Sequence, residues 1–309
     1  MPSLKPSAVR LAALEAACFV LVAALALGFQ AWLPTALPTD ANERAVAEVL
    51  AREGRPGDVV LLHPWWTERA RLFLPEGLPV TGYLGDETDP LVESPRIWVL
   101  SQPALPYTKE AEFQASFFPG RTPLGPQRRF GSLVLGLYHN GRAQPVRFSA
   151  LEAMGTATAA VDVPGVGRTE CAREGAGFRC PAGARVESGW HEVLYRPTRC
   201  LLVVPPGGPG AVELTFDGVP VAARVRLEAG IIWEHAWKHE RTPLHAEVSD
   251  ADSGAPLASI VIPAGKEGFV SAEAPGGARR LRLRVQSDNA HEREACLVLR
   301  ALDAPLGAP

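Results

Sequence analysis

The chain has 309 residues, enough for two domains of ordinary size and an anchor. A formal charge of −3 with both signs well mixed leaves no broad basic field, which argues against nucleic acid as a partner. Glycine and proline, 29 of each and spread along the chain, predict many turns between short strands rather than one disordered tract.

The first predicted element is a membrane-spanning helix. Residues 11–33 are apolar except for Glu15 and Gln30, a length that matches the roughly 20 residues needed to cross a hydrocarbon core. Lys5 and Arg10 precede the segment, and Asp40 and Glu43 follow it with Arg44. The positive-inside bias then puts the N-terminus in the cytoplasm and the remainder in an extracytoplasmic, periplasmic or cell-envelope space. Trp32 suits the interfacial belt, and Pro34 with Pro38 is expected to end the helix. A cleaved signal peptide, with small residues around Ala24 and Ala26, is the rival reading, and it exports the remainder too. On the anchor reading residues 1–36 are a cytoplasmic stub and signal-anchor helix.

Residues 37–142 read as a small Rossmann-like α/β domain. Asp40 is expected to cap a helix whose third residue is Glu43, with Val46, Val49 and Leu50 on one face and Gly54 as the stop. Asp58 to His63 is a continuous apolar run, the pattern of a central strand covered on both faces. A short helix over 67–74, strands over 79–84 and 96–100, a helix over 108–118 and a closing strand over 131–138 complete the domain. No Gly-x-Gly-x-x-Gly follows the first strand, so no dinucleotide or other cofactor is expected.

From residue 143 to about 305 the texture changes to short strands between Gly and Pro turns, with 306–309 as a tail. Eight candidate strands, 193–195, 200–204, 211–216, 221–228, 244–249, 257–262, 279–286 and 294–301, suit a jelly-roll-like β-sandwich. In Arg-Leu-Arg-Leu-Arg-Val at 280–285 every second residue is charged, as where one sheet face meets water. The overall fold class is α+β multidomain: one transmembrane helix, an α/β domain and a β-sandwich.

Five cysteines are present, and Cys18 lies inside the apolar segment. Of the remaining four, Cys171 and Cys180 flank a turn-rich insert, while Cys200 and Cys296 open similar apolar runs that look like matching positions on the first and last strands of one sandwich. The expected bridges are Cys171–Cys180 and Cys200–Cys296. Four unpaired buried thiols remain the alternative, since spacing does not set connectivity. None of these cysteines lies within the short separation that structural zinc usually needs.

Candidate ligand contacts gather where strands of the α/β domain end, because open α/β sheets bind ligands outside the carboxyl ends of their strands. His63, Trp65, Trp66 and Arg69 leave the first strand, Tyr83 and Asp86 the second, and Gln102 and Tyr107 the third. Aromatic faces can pack on a pyranose while polar groups bind its hydroxyls. The bland account is that Trp65 and Trp66 form a packing seam. His63, Glu68 and Asp86 are the candidate acid–base groups if the protein is an enzyme, although no nucleophile motif supports one. His235 and His239, at i and i+4, could hold a metal only on a helix, and the local pattern favours a sandwich-edge loop; no metal is expected. His139, His191 and His291 read as surface or satisfied histidines.

The capped helix, the run Arg-Pro-Gly-Asp-Val-Val-Leu-Leu-His-Pro-Trp-Trp at 55–66 and Arg-Ile-Trp-Val-Leu at 96–100 resemble the exported soluble region that follows the membrane spans of bacterial polytopic glycosyltransferases of the protein mannosyltransferase-like class. The resemblance covers about a third of the chain. Catalysis in that class uses acidic residues on loops between several spans, and this chain has one predicted span, so no catalytic residue carries over. The resemblance implies an accessory exported module beside a polytopic partner. The β-sandwich looks, by architecture alone, like a carbohydrate-binding or galactose-binding-like accessory domain. The expectation is therefore a non-catalytic envelope protein that binds a glycan or a membrane partner; the alternatives are a carbohydrate-active enzyme and a structural scaffold.

Overall fold

The computed structural model describes residues 6–83, 89–103, 105, 108–206, 209–238, 241–289 and 292–307. After the first helix it divides into two compact units. Met1–Arg142 with Gly307–Pro309 form one and Ala143–Leu306 the other.

Helix α1 (Pro6–Ala36) contains a stretch, Ala13–Leu33, of mean hydropathy 2.1 that is exposed along its length and long enough to cross a membrane. Pro34 does not end it as expected: the backbone stays helical to Ala36, and Leu37 N–H still donates to Leu33 O at 3.1 Å. A proline removes only its own hydrogen bond, so near a C-terminus the last turn can survive it. Helix α2 (Asp40–Glu53) begins one residue earlier than the sequence suggests. Thr39 is the N-cap and shares a reciprocal capping box with Asn42. Glu43, expected in that role, is instead buried beside Val46, Val49 and Leu50, and burial raises its carboxyl pKa. Gly54 N–H closes the helix on Leu50 O at 2.8 Å.

The first sheet contains β1 (Asp58–His63), β2 (Val80–Gly82), β3 (Arg96–Ser101), β4 (Arg121–Pro123), β5 (Arg128–Phe130) and β6 (Leu133–Asn140). Its order is β2-β1-β3-β6-β4, with β5 also on β6. β1 runs parallel to both neighbours, whereas β6 is antiparallel to β3. Alternate residues of β1 serve opposite cores. Val60 and Leu62 pack with Val46, Val49 and Leu50 of α2. Val59 and Leu61 pack with Leu91 of α3 (Asp89–Glu93) and with Phe113 and Phe117 of α4 (Glu110–Phe117). This two-sided burial is why β1 lacks polar alternation. The expected segment at 67–74 is a single 3-10 stretch, Glu68–Leu72.

The second unit has two sheets built from β7 (Val146–Ser149), β8 (Thr158–Val163), β9 (Gly167–Glu170), β10 (Ala172–Glu174), β11 (Gly177–Arg179), β12 (Arg185–Val193), β13 (Arg196–Val204), β14 (Ala211–Phe216), β15 (Arg224–Ile231), β16 (Leu244–Asp250), β17 (Pro256–Ile262), β18 (Val270–Pro275), β19 (Leu281–Ser287) and β20 (Ala295–Leu302). One has the order β10-β11-β12-β13-β20-β15-β18, with β7 also on β20; the other is β17-β16-β19-β14-β8-β9. Their inner faces share one core, in which Leu201, Leu227 and Leu299 meet Leu214, Leu283 and Ile262. The alternation at 280–285 behaves as expected, with Leu281, Leu283 and Val285 buried and the arginines partly exposed.

Both expected disulfides form. Cys171–Cys180 closes the β10–β11 hairpin, with Cα atoms 4.4 Å apart, and Cys200–Cys296 joins the adjacent strands β13 and β20 at 5.5 Å. Cys200 is not on the first strand of the unit, however, since β7–β12 precede it. The segment 193–195 is not a strand of its own either. Leu194 and Tyr195, at φ 47° and 59°, are the two turn residues of the β12–β13 hairpin. The hairpin end folds back over the sheet, so that Val193 joins a small outer core with Cys200, Cys296, Val298 and Phe269. Gly230 permits this approach, because a Cβ there would lie 2.7 Å from Val193 Cγ1 and 3.0 Å from Gly268 O. The C-terminal tail rejoins the first unit, with Gly307 N–H donating to Gly141 O at 2.9 Å.

Candidate binding edge at the strand ends of the first unit

Three parallel strands, β2, β1 and β3, end side by side at Gly82, His63 and Ser101. Parallel neighbours lie about 4.8 Å apart, so whatever follows each strand is brought to one edge.

His63 is buried on the α4 side of the sheet. Its ring stacks on Phe113 at 3.8 Å, and Nε2 lies 3.2 Å from Glu110 Oε2. Burial lowers the imidazole pKa, and the Glu110 carboxylate opposes that only partly. Glu110 is a site residue that the sequence reading passed over in favour of Glu68 and Asp86. The signal was its place in the first turn of the helix after β3. Glu68 pairs with Arg71, and Arg69 pairs with Asp40 at 2.5 Å, so both are engaged away from the histidine.

A pH dependence follows. With its folded pKa held below the ordinary imidazole value of about 6.5 by burial, His63 takes up protons more readily in the unfolded chain. Its contribution to stability is therefore intact above pH 6.5 and lost as pH falls from there through the folded pKa. Thermal midpoints between pH 7.5 and 5 should drop more steeply for the native chain than for His63→Gln; parallel curves would refute the assignment.

Beyond His63, joined to it by a cis peptide bond, Pro64 opens a tight turn in which Thr67 Oγ1 and N–H both donate to Pro64 O. The turn sets Trp65 against β2. Gly82 makes room for it, since a Cβ there would lie 2.7 Å from Trp65 Cβ. Trp66 stands edge-on to Trp65 with centroids 5.7 Å apart and is 44% exposed. On the other side of His63, Gln102 N–H donates to His63 O at 2.9 Å. Gln102 is 4% exposed, and its Nε2 has no hydrogen-bond partner among the described residues.

Tyr83, expected at this edge as a contact, turns inward instead: its ring meets Phe113 and Phe117 edge-on in the core. Asp86 and Tyr107 lie outside the described residues. The edge thus brings together His63, Glu110, Gln102, Trp65 and Trp66.

No group of three or more His, Cys, Asp or Glu side chains suited to a metal occurs among the described residues. Helix α5 (Trp233–Ala236) is a single turn, so the i, i+4 face imagined for His235 and His239 does not extend past Ala236. His235 Nε2 lies 2.8 Å from Glu294 Oε2, and His239 is outside the described residues.

No protein-family model matches the chain, and no curated protein matches it. Among solved structures, it is similar to a xylan-binding domain of carbohydrate-binding module 22, at 12% identity over 41% of this chain and 85% of that one, with a TM-score of 0.27. It is also similar to a family 35 carbohydrate-binding module from Clostridium thermocellum, at 11% identity over 39% and 88%, with a TM-score of 0.26. A third is CBM51-2 with INT domains from Clostridium perfringens ZmpB in complex with GlcNAc, at 11% identity and a TM-score of 0.27. The match covers 38% of this chain and spans 28% of the length of that third one.

Proposed function

We propose that the chain is a non-catalytic, membrane-anchored protein of the extracytoplasmic envelope that binds carbohydrate at the His63–Gln102 edge. In this reading α1 spans the membrane with its N-terminus in the cytoplasm, a Rossmann-like first domain carries the edge, and the second domain is a jelly-roll-like β-sandwich. The apolar length of α1 and the two disulfides support the placement, because structural disulfides persist in oxidising compartments. A role beside a polytopic glycosyltransferase is the partner the sequence resemblance implies.

The binding reading is carried by two groups at the strand-end edge: a half-exposed indole, Trp66, and a buried carboxamide, Gln102, whose Nε2 has no hydrogen-bond partner among the described residues. A buried donor left unsatisfied is costly, and a sugar hydroxyl is a suitable acceptor. An indole face supplies the apolar half of sugar recognition. The His63–Glu110 contact keeps the enzyme alternative alive as an acid–base pair.

A glycan array probed with the full chain in detergent, followed by titration calorimetry on the best binder, tests both. Trp66→Ala and Gln102→Ala should each weaken binding by about fivefold, the weight of roughly 1 kcal/mol per stacking or hydrogen-bond contact. Undiminished binding by both variants would remove the edge from consideration. Turnover of the bound glycan that disappears in Glu110→Gln would establish the enzyme instead.

A further inference from the structure

Arg293 lies in the link that enters β20 and is 0% exposed. Its Nε and Nη1 have no hydrogen-bond partner among the described residues, and Nη2 reaches only Ile262 O, at the long distance of 3.5 Å. The neighbouring carboxylates among the described residues are taken. Glu292 is bound by Lys238 and Arg241, while Glu294 lies 2.8 Å from His235 and 3.7 Å from Arg185. Burial, with Arg241 adding to it, lowers the Arg293 pKa. An arginine nevertheless remains protonated in proteins. A charge sealed in the interior without a counter-charge is among the most destabilising arrangements a fold can carry, and folds keep buried charges paired.

The position is also suggestive. Ile262 closes β17, Leu244 opposite it opens β16 and pairs with Ser287 at the close of β19, and Ile231 pairs with Ala295 at the start of β20. Arg293 therefore sits at one end of the sandwich, where strand ends of both sheets meet, directly after Glu292, whose carboxylate is held by Lys238 and Arg241.

We propose that Arg293 is the centre of an oxyanion-binding site at this end of the second unit, taking a carboxylate or sulfate group. A guanidinium matches oxyanion geometry better than any other side chain, which is why an orphaned one points to that chemistry. The site is independent of the edge at His63. Since the guanidinium is sealed, an anion reaches it only through local opening of the second unit, and titrations need long equilibration.

The test uses the full chain in nonionic detergent micelles, with thermal midpoints read at constant ionic strength against sodium sulfate, sodium glucuronate and glucose. Sulfate stabilises any protein surface by exclusion, so the readout is the difference between the native chain and Arg293→Met. A saturable rise with either anion, absent with glucose, flat in Arg293→Met and shifted at least tenfold to higher concentration in Arg293→Lys, supports the site. Saturation by sulfate assigns an inorganic oxyanion, and saturation by glucuronate alone assigns an acidic sugar. Equal rises in the native chain and Arg293→Met, or no saturable rise in the native chain, overturn it. Should Arg293→Met fail to fold, the same comparison against Arg293→Lys decides.

Discussion

Removing the Cys200–Cys296 bridge by Cys200→Ala with Cys296→Ala should destabilise the second unit by about 4.7 kcal/mol in the chain-entropy account, whereas removing Cys171–Cys180 should cost about 2.6 kcal/mol. The contrast comes from loop length: the first bridge spans 96 positions and the second nine. The larger loss has a packing component as well, because Cys200 and Cys296 are both fully buried under Val193, Val298 and Phe269. Alanine keeps that small core apolar, so the measured loss reports mainly the constraint on the unfolded chain. Urea unfolding of the full chain in detergent, followed by near-ultraviolet circular dichroism, would measure both. Equal losses for the two double variants would show that loop closure is not what these bridges contribute. Alkylation of the denatured, unreduced native chain should label Cys18 alone.

The second large effect is expected at Asp58. This carboxylate is buried at the start of β1, where Oδ2 accepts from Trp98 Nε1 at 2.8 Å and from Arg55 N–H at 3.0 Å. Oδ1 lies 3.3 Å from Arg96 Nε, and the Arg96 side chain is itself mostly buried. Asp58→Ala leaves an indole N–H and a guanidinium without their acceptor in a dry place, and breaking a buried pair from one side costs about 3–5 kcal/mol. Asp58→Asn retains an acceptor for the indole and should cost less, about 1–3 kcal/mol. The reading is the unfolding transition of the first unit, and a loss below about 1 kcal/mol for Asp58→Ala would mean that water replaces the carboxylate freely.

These two sites differ in how visible they are from sequence. The cysteine pairs could be proposed because each cysteine adjoins an apolar run or a turn that already sets a strand geometry. Asp58 offered no such sign. A charged residue opening an apolar strand reads as a solvent boundary, and only the parallel pairing of Asp58 with Arg96, which places Trp98 two residues along, makes it a buried acceptor.

Strand recognition divided along the same line. β14, β16, β17 and β20 have apolar residues at regular intervals and were legible. β9, Gly167–Glu170, is exposed at every position, and β18, Val270–Pro275, mixes small and charged residues. Such edge strands owe their conformation to a neighbour's hydrogen bonds and not to their own burial pattern. The Leu194-Tyr195 turn escaped notice for a related reason. Two-residue hairpin turns with positive φ are ordinarily marked by Asn or Gly, and here Leu194 and Tyr195 adopt them without that mark.

Sequence alone determined what depends on near neighbours. The apolar length of α1, the face of α2 carrying Val46, Val49 and Leu50 and the double-sided burial of β1 all arise from periodicities within one element. Tertiary structure alone decided the rest. It matched His63 with Glu110, 47 positions away, turned Tyr83 into the core, left the Gln102 amide without a partner among the described residues, and buried Arg293 without a counter-charge among them. Side-chain partners across a sheet are set by strand order and register, and neither quantity is written in the local pattern that specifies each strand.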